Sequence, residues 1–151
     1  MESDIIIKKL ENYCVSQERC TSEIIAKLKY LNVKESHFDS IISKLKEENF
    51  LNEERFAKAY ARGQFRLNKW GKRKIFFELN HKNIPDTVIQ AGLMEIDDEV
   101  YQQVLKDLIL KKNMELKNKK SLNIRGKIIN FAQGKGFETH LILDIVKELN
   151  I

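Results

Sequence analysis

One spacing of apolar residues occurs three times along the chain. Ile24, Leu28, Val33, Ile42 and Leu45 are matched fifty-one residues later by Ile75, Leu79, Ile84, Leu93 and Ile96. Fifty-three residues further on stand Ile128, Ala132, Phe137, Val146 and Leu149. A period of this length marks a supersecondary unit that cannot bury its apolar face alone and so packs against copies of itself. Apolar positions recur at intervals of three and four, β-branched residues do not alternate, and 151 residues contain one proline and six glycines. The pattern is helical throughout.

The punctuation repeats with the core. Asn32, Asn83 and Gly136 stand immediately before Val33, Ile84 and Phe137, and these residue types tolerate the left-handed conformation that closes a helix. A new helix follows each, announced by Glu35, by Pro85 and by Glu138, the acids complementing the helix dipole. Each unit also opens on a helix of its own: about 4 to 17, then 52 to 67 capped by Asn52 with Glu53 and Glu54, then 97 to 113 opened by Asp97, Asp98 and Glu99. The expected architecture is all-α, with three tandem three-helix repeats at 1–50, 51–96 and 97–151 forming an elongated, curved array. Residues 111–123, KKNMELKNKKSLN, are poor in apolar side chains and read as a mobile connection inside the third repeat.

Several function classes drop out. Cys14 and Cys20 are six apart in a helical segment, where they do not share a face, so they read as small core residues and not as a disulfide. The opening MESDIIIKKL has the form of neither a signal nor a transit peptide, and no apolar run is long enough for a membrane span. A reducing cytoplasmic setting, with no membrane partner, is the default. His37, His81 and His140 lie in different units without metal-ligand spacing. No phosphate loop or nucleophile elbow occurs, and the carboxylates sit on helix faces and first turns. No catalytic residue, metal or cofactor is expected.

Charge is more informative. The net charge is +5, and the middle repeat is the basic one, with nine Lys and Arg against five Asp and Glu over residues 51–96. That imbalance favours a polyanion or an acidic protein surface. It is densest in NKWGKRKIFFEL, residues 68–79. On a helical wheel Ile75 and Leu79 take the core face, while Trp70, Lys74, Phe77 and His81 fall opposite, with Arg73 beside them. Large aromatics at such spacing ordinarily pack against a neighbouring unit. Yet the equivalents of Phe77 are Ala26 and Asn130, and those of Trp70 are Arg19 and Asn123, so the fold does not require aromatics there. Inter-unit packing and a binding face ringed by Lys69, Lys72, Arg73 and Lys74 both remain open. Arg62 and Arg66 extend that face along the preceding helix.

Two stretches resemble a known family. LNEERFAKAYAR at 51–62 and WGKRKIFFELNHKNI at 70–84 are similar to motifs of RecX proteins, which are built from three tandem three-helix modules. Asn83 replaces that family's usual glycine, Gln17 and Cys20 stand where its first module commonly has arginine and serine, and GKGF at 134–137 is close to its R-G-F. The resemblance implies a non-enzymatic regulator that binds the RecA recombinase and its nucleoprotein filament, lies along the filament groove and restrains filament growth, ATP hydrolysis and strand exchange in DNA repair and the SOS response. Within the motif, Gly71, Ile75, Glu78 and Leu79 are expected to be structural. The expected contact set is Arg62, Arg66, Lys69, Trp70, Lys72, Arg73, Lys74, Phe77, His81 and Lys82, with Lys127 and Lys135 from the third repeat. The expected partners also include single- and double-stranded DNA, with the chain a monomer; the alternative is a stand-alone helical nucleic-acid-binding module that acts directly on DNA. Reversing the charge of Lys72, Arg73 and Lys74 is expected to weaken partner binding with helicity and melting temperature intact; unchanged affinity would sink the assignment.

Overall fold

A computed structural model describes residues 2–151, and among these every regular element is helical. The first repeat holds α1 (Glu2–Ser16), α2 (Thr21–Tyr30), a 3₁₀ turn (Glu35–His37) and α3 (Phe38–Glu47). The second holds α4 (Glu53–Asn68), α5 (Lys72–His81) and α6 (Asp86–Leu93). The third holds α7 (Asp98–Asn118), α8 (Ile124–Gly134) and α9 (Thr139–Glu148). The accessible surface is 9637 Å², against roughly 8,000 Å² for a compact monomer of this mass. The excess is that of an elongated array.

The threefold pattern holds at the level of single hydrogen bonds. Asn32, Asn83 and Gly136 all have left-handed φ, at 59°, 63° and 98°. At each, the next residue's N–H reaches back five positions to the middle helix: Val33 to the Leu28 carbonyl, Ile84 to Leu79, Phe137 to Ala132, at 3.0, 3.2 and 3.2 Å. The left-handed residues themselves donate to Lys29, Asn80 and Gln133. This is one Schellman closure built three times, and it aims each third helix back across the second. The repeated apolar positions are buried, except that Val33 and Leu149 are half-exposed.

Two cores result. Leu10, Cys14, Ile24, Leu28, Phe38, Ile41, Ile42, Leu45 and Leu51 form the core of the first repeat. The second and third repeats share a single continuous core, which includes Phe56, Ile75 and Leu79 of the second and Tyr101, Leu105, Ile109, Ile128, Phe137 and Val146 of the third. Cys20 from the first repeat joins this second core. Both cysteines are buried free thiols, and burial pushes both thiol pKa values up. Asn52 and Asp97 cap α4 and α7 as expected, accepting from the N–H groups of Arg55 (2.9 Å) and Val100 (3.0 Å).

Residues 111–123 depart from the expected connection. Helix α7 continues to Asn118, and only residues 119–123 link it to α8. Leu116 is buried and extends the stripe of Leu105 and Ile109, Lys112 lies over the Phe131 ring (4.9 Å), and Glu115 pairs with Lys112 and Lys119. One buried anchor per two turns, with same-face ion pairs, is enough to hold a helix of otherwise polar residues.

The Schellman geometry predicts opposite responses at Asn83. Asn83→Gly, the glycine-tolerant form, should leave stability unchanged or raise it, and Asn83→Ala should cost about 1 kcal/mol. Urea unfolding midpoints at constant slope read this directly, and an equal loss for both would contradict it.

Candidate functional site

The start of α5 is where the second and third repeats meet. The Gly71 N–H donates to the Lys135 carbonyl (2.7 Å) and the Arg73 N–H to the Gly136 carbonyl (3.0 Å). Between them the Lys72 N–H donates to the Tyr101 hydroxyl (2.9 Å), which in turn donates to the Glu138 carboxylate. Three N–H groups that a helix leaves unpaired are therefore used by the third repeat. The fit is close enough to exclude side chains: a Cβ on Gly71 would lie 2.2 Å from the Gly136 carbonyl carbon and 2.3 Å from the Phe137 nitrogen. A Cβ on Gly136 would lie 2.3 Å from that of Lys74. Tyr101 stacks toward Phe137 and Phe65, with ring centroids 5.0 and 5.7 Å away. Burial, then the adjacent Glu138 carboxylate, pushes the Tyr101 hydroxyl pKa far up, so the group remains a proton donor.

Around this seam the cations sort into two kinds. Some are committed to the protein itself. Lys72 pairs with Asp98 (3.2 Å) and lies over the Tyr101 ring (4.8 Å); Lys82 reaches Glu23 of the first repeat (3.5 Å) across the Tyr60 ring; Arg62 pairs with Glu95 (3.1 Å). Lys127 donates to Ser121 in the 119–123 link. The others have no carboxylate partner among the described residues: Arg66, Lys69, Arg73, Lys74 and Lys135. Lys135 donates to the Asn68 carbonyl (2.7 Å) at the end of α4, which carries its ammonium beside Lys69 and Lys74. Burial, then the like charges of Lys74 and Lys69, lowers its pKa. Charge is concentrated here and left uncompensated.

The aromatic stripe divides. Trp70 lies before α5, because Gly71 is extended (φ −75°, ψ 165°) and takes the tryptophan off the helical wheel. Its ring packs half-buried against the core, edge-on to Tyr60 with centroids 6.4 Å apart, and Lys74 Nζ sits 4.6 Å from its centroid. Burial, then the carboxylates of Glu78 and Glu23, pushes the Tyr60 hydroxyl up to about 12. Phe77 does the reverse: 56% of it is exposed, with His81 edge-on at 4.3 Å. Phe77, Arg73 and Lys74 form one wall of an open cleft of about 450 Å³ whose other wall is Gln133, Gly134, Gly136, Phe137 and Thr139 of the third repeat. A second groove, between α4 and α7, is bordered by Arg62, Arg66 and Lys69 over Ala59, Phe65, Val100 and Val104.

Lys69 has left-handed φ (55°). Among the described non-glycine residues with such a φ, asparagine serves at Asn32, Asn49, Asn83, Asn123 and Asn150, and Lys69 and Lys120 depart from it. The seam residues that spacing did not single out are Tyr101, Gln133, Gly134 and Thr139, with Glu138, expected to serve only its own helix, bound instead to Tyr101. No group of His, Cys, Asp and Glu among the described residues is arranged to hold a metal, and no helix is long and apolar enough to cross a membrane.

Because Lys72 is engaged by Asp98 and Tyr101, charge reversal that leaves the fold intact is expected of Arg73 and Lys74 alone. The seam itself predicts that Gly71→Ala costs about 3 kcal/mol, the upper end of overpacking, since only backbone could move. Gly134→Ala, with nothing within 4 Å of the added carbon, should cost nothing. Comparable unfolding midpoints for the two variants would contradict the contact.

Residues 52–93 match the family model described as RecX, second three-helix domain. The chain is 30% identical over 129 residues to the regulatory protein RecX of Clostridium beijerinckii, covering 84% of this chain and 60% of that protein. It is 28% identical over 153 residues to that of Clostridium acetobutylicum, covering 92% and 71%. It thus spans well under the full length of these relatives. The crystal structure of RecX from Lactobacillus salivarius is similar at a TM-score of 0.80 and 25% identity, over 97% of this chain and 98% of that one. Another RecX crystal structure shares the fold at a TM-score of 0.85 and 24% identity. With a matching second domain, relatives aligned along most of its length and the same three-repeat fold, the chain is similar to RecX proteins in sequence and in architecture.

Proposed function

We propose that this chain regulates the RecA recombinase by binding, not by catalysis. In this reading it acts as a monomer in the cytoplasm, lies along the groove of the recombinase filament on DNA, and restrains filament growth, ATP hydrolysis and strand exchange during recombinational repair and the SOS response. Similarity to RecX regulatory proteins supports the regulatory role, and one observation supports the mode: Arg73, Lys74, Lys69 and Lys135 gather at the seam of two repeats without a carboxylate partner. Folding gains nothing from crowding like charges, so a polyanion or acidic surface is what such a group fits. An elongated helical array offers the length to follow a groove in which protein and phosphate are both within reach.

The same cations favour a second reading, direct binding to bare single- or double-stranded DNA. Salt separates the two. A direct binder that neutralises about five phosphates loses affinity with a log-log slope near −4 on duplex, and a filament-directed regulator need not bind bare DNA tightly.

The test is the single-stranded-DNA-dependent ATPase of the same organism's RecA, titrated with this protein at fixed moderate salt. Inhibition is expected well below one molecule per recombinase subunit, and Arg73→Glu with Lys74→Glu is expected to abolish it while helicity and melting temperature hold. No inhibition by folded protein in stoichiometric excess moves the reading to direct DNA binding. Lys69 gives an independent check. Lys69→Gly should relieve the left-handed backbone, gaining about 1 kcal/mol of stability, and should weaken partner binding; a variant both more stable and equally tight would remove Lys69 from the contact surface.

A further inference from the structure

The seam cleft combines features that repulsion-prone cations alone do not explain. One wall carries Arg73 and Lys74 beside Phe77, an aromatic left 56% exposed. The facing wall carries Gln133 and Thr139, whose side chains meet at 3.2 Å on the rim, and Gly134, whose Cα has no heavy atom within 4 Å of where a side chain would begin. A volume of about 450 Å³ falls within the roughly 300–1,000 Å³ of ordinary ligand clefts. Of the leading N–H groups of α5, those of Gly71, Lys72 and Arg73 are already used by the third repeat, so anion recognition here rests mainly on side chains.

We propose that this cleft holds one unstacked nucleotide of a single-stranded nucleic acid, its base against Phe77 and its phosphate on Lys74 and Arg73. The inference rests on the reading of the seam as a contact surface and adds what enters it. Every base offers a face to an aromatic ring whatever its sequence, so Phe77 gives affinity without sequence preference. Gln133 and Thr139 supply an amide and a hydroxyl that can donate to or accept from any base edge. Duplex DNA keeps its bases stacked inside and cannot present one to a cleft of this kind, so the site selects single strands. An acidic peptide would satisfy the cations and leave Phe77 unused.

The experiment measures fluorescence anisotropy of a labelled fifteen-residue oligothymidylate and of an abasic strand of the same length and charge, at one salt concentration, with the intact chain. The wild-type protein is expected to bind the oligothymidylate more tightly. Phe77→Ala should weaken that binding by about 5- to 150-fold, the range of base–aromatic stacking, and leave the abasic strand unaffected. Gly134→Leu fills the cleft from the opposite wall into open space and should do the same. Lys74→Glu should weaken both strands. Equal wild-type affinity for the two strands overturns the proposal, as does an undiminished preference in both cleft variants with unchanged far-UV circular dichroism. Displacement of the oligothymidylate by polyglutamate at matched charge concentration also overturns it, in favour of an acidic protein segment. If the cleft variants bind like wild type while Arg73→Glu with Lys74→Glu still loses the effect on the recombinase ATPase, the nucleotide site fails and the regulatory reading stands. If that charge variant keeps its effect on the ATPase, the regulatory reading of the seam fails whatever the oligonucleotides show.

Discussion

Backbone of the second repeat lies directly on backbone of the third at Gly71 and Gly136, with no side chain between them, and the cationic surface depends on that contact. Two glycines bring the start of α5 within hydrogen-bonding distance of the turn before α9. The Tyr101 hydroxyl completes the join by accepting from Lys72 and donating to Glu138. A buried hydroxyl used in both directions is costly to lose, since its removal strands a donor and an acceptor at about 1–3 kcal/mol. The same join carries Lys135 to Asn68 and so beside Lys69 and Lys74. Without it those charges would separate and the cleft beneath Phe77 would have one wall.

The junction between the first and second repeats uses the same plan in weaker materials. The Thr21 N–H and hydroxyl, at the start of α2, donate to the Glu53 carboxylate at 2.7 and 3.0 Å, as the Lys72 N–H, fifty-one residues on, donates to Tyr101. In both cases the first helix of the next repeat supplies the acceptor. Around Glu53, however, the links are ion pairs between partly exposed side chains, Arg55 with Glu18 at 2.7 Å and Lys82 with Glu23 at 3.5 Å. Pairs of this kind contribute about 0–1 kcal/mol each. The first repeat has a core of its own, to which Leu51 at the start of the second contributes, and among the described residues it gives Cys20 to the shared core. The chain is thus a fused pair of repeats with a third attached through polar contacts.

Local signals carried the fold well. A left-handed Asn or Gly after a helix, a capping Asn or Asp before one, and apolar residues at three and four are decided within a few residues of where they act. They recovered the three closures at Asn32, Asn83 and Gly136 and the caps at Asn52 and Asp97. What escaped was decided at a distance. Lys72 looked like free charge because Asp98 lies twenty-six residues away, and Tyr101 was not singled out because Lys72 and Glu138 lie twenty-nine and thirty-seven away. Trp70 was misplaced by one extended glycine. The length of α7 was underestimated because a single buried Leu116 outweighs the lysines around it. The basic, aromatic segment 68–79 falls where the second and third repeats meet, and tertiary contacts divided its residues between seam and cleft.

The most direct test of this account is native-state hydrogen exchange at the amides of Gly71 and Arg73. The first amides of a helix ordinarily exchange near the rate of frayed ends, because no intrahelical acceptor exists for them. Here they donate to the carbonyls of Lys135 and Gly136 across the seam, so both are expected to exchange only when the second and third repeats part or unfold together. Exchange as fast as at a frayed helix end would mean that the repeats part readily in solution, and the fixed cation group and its cleft would not exist as a lasting surface.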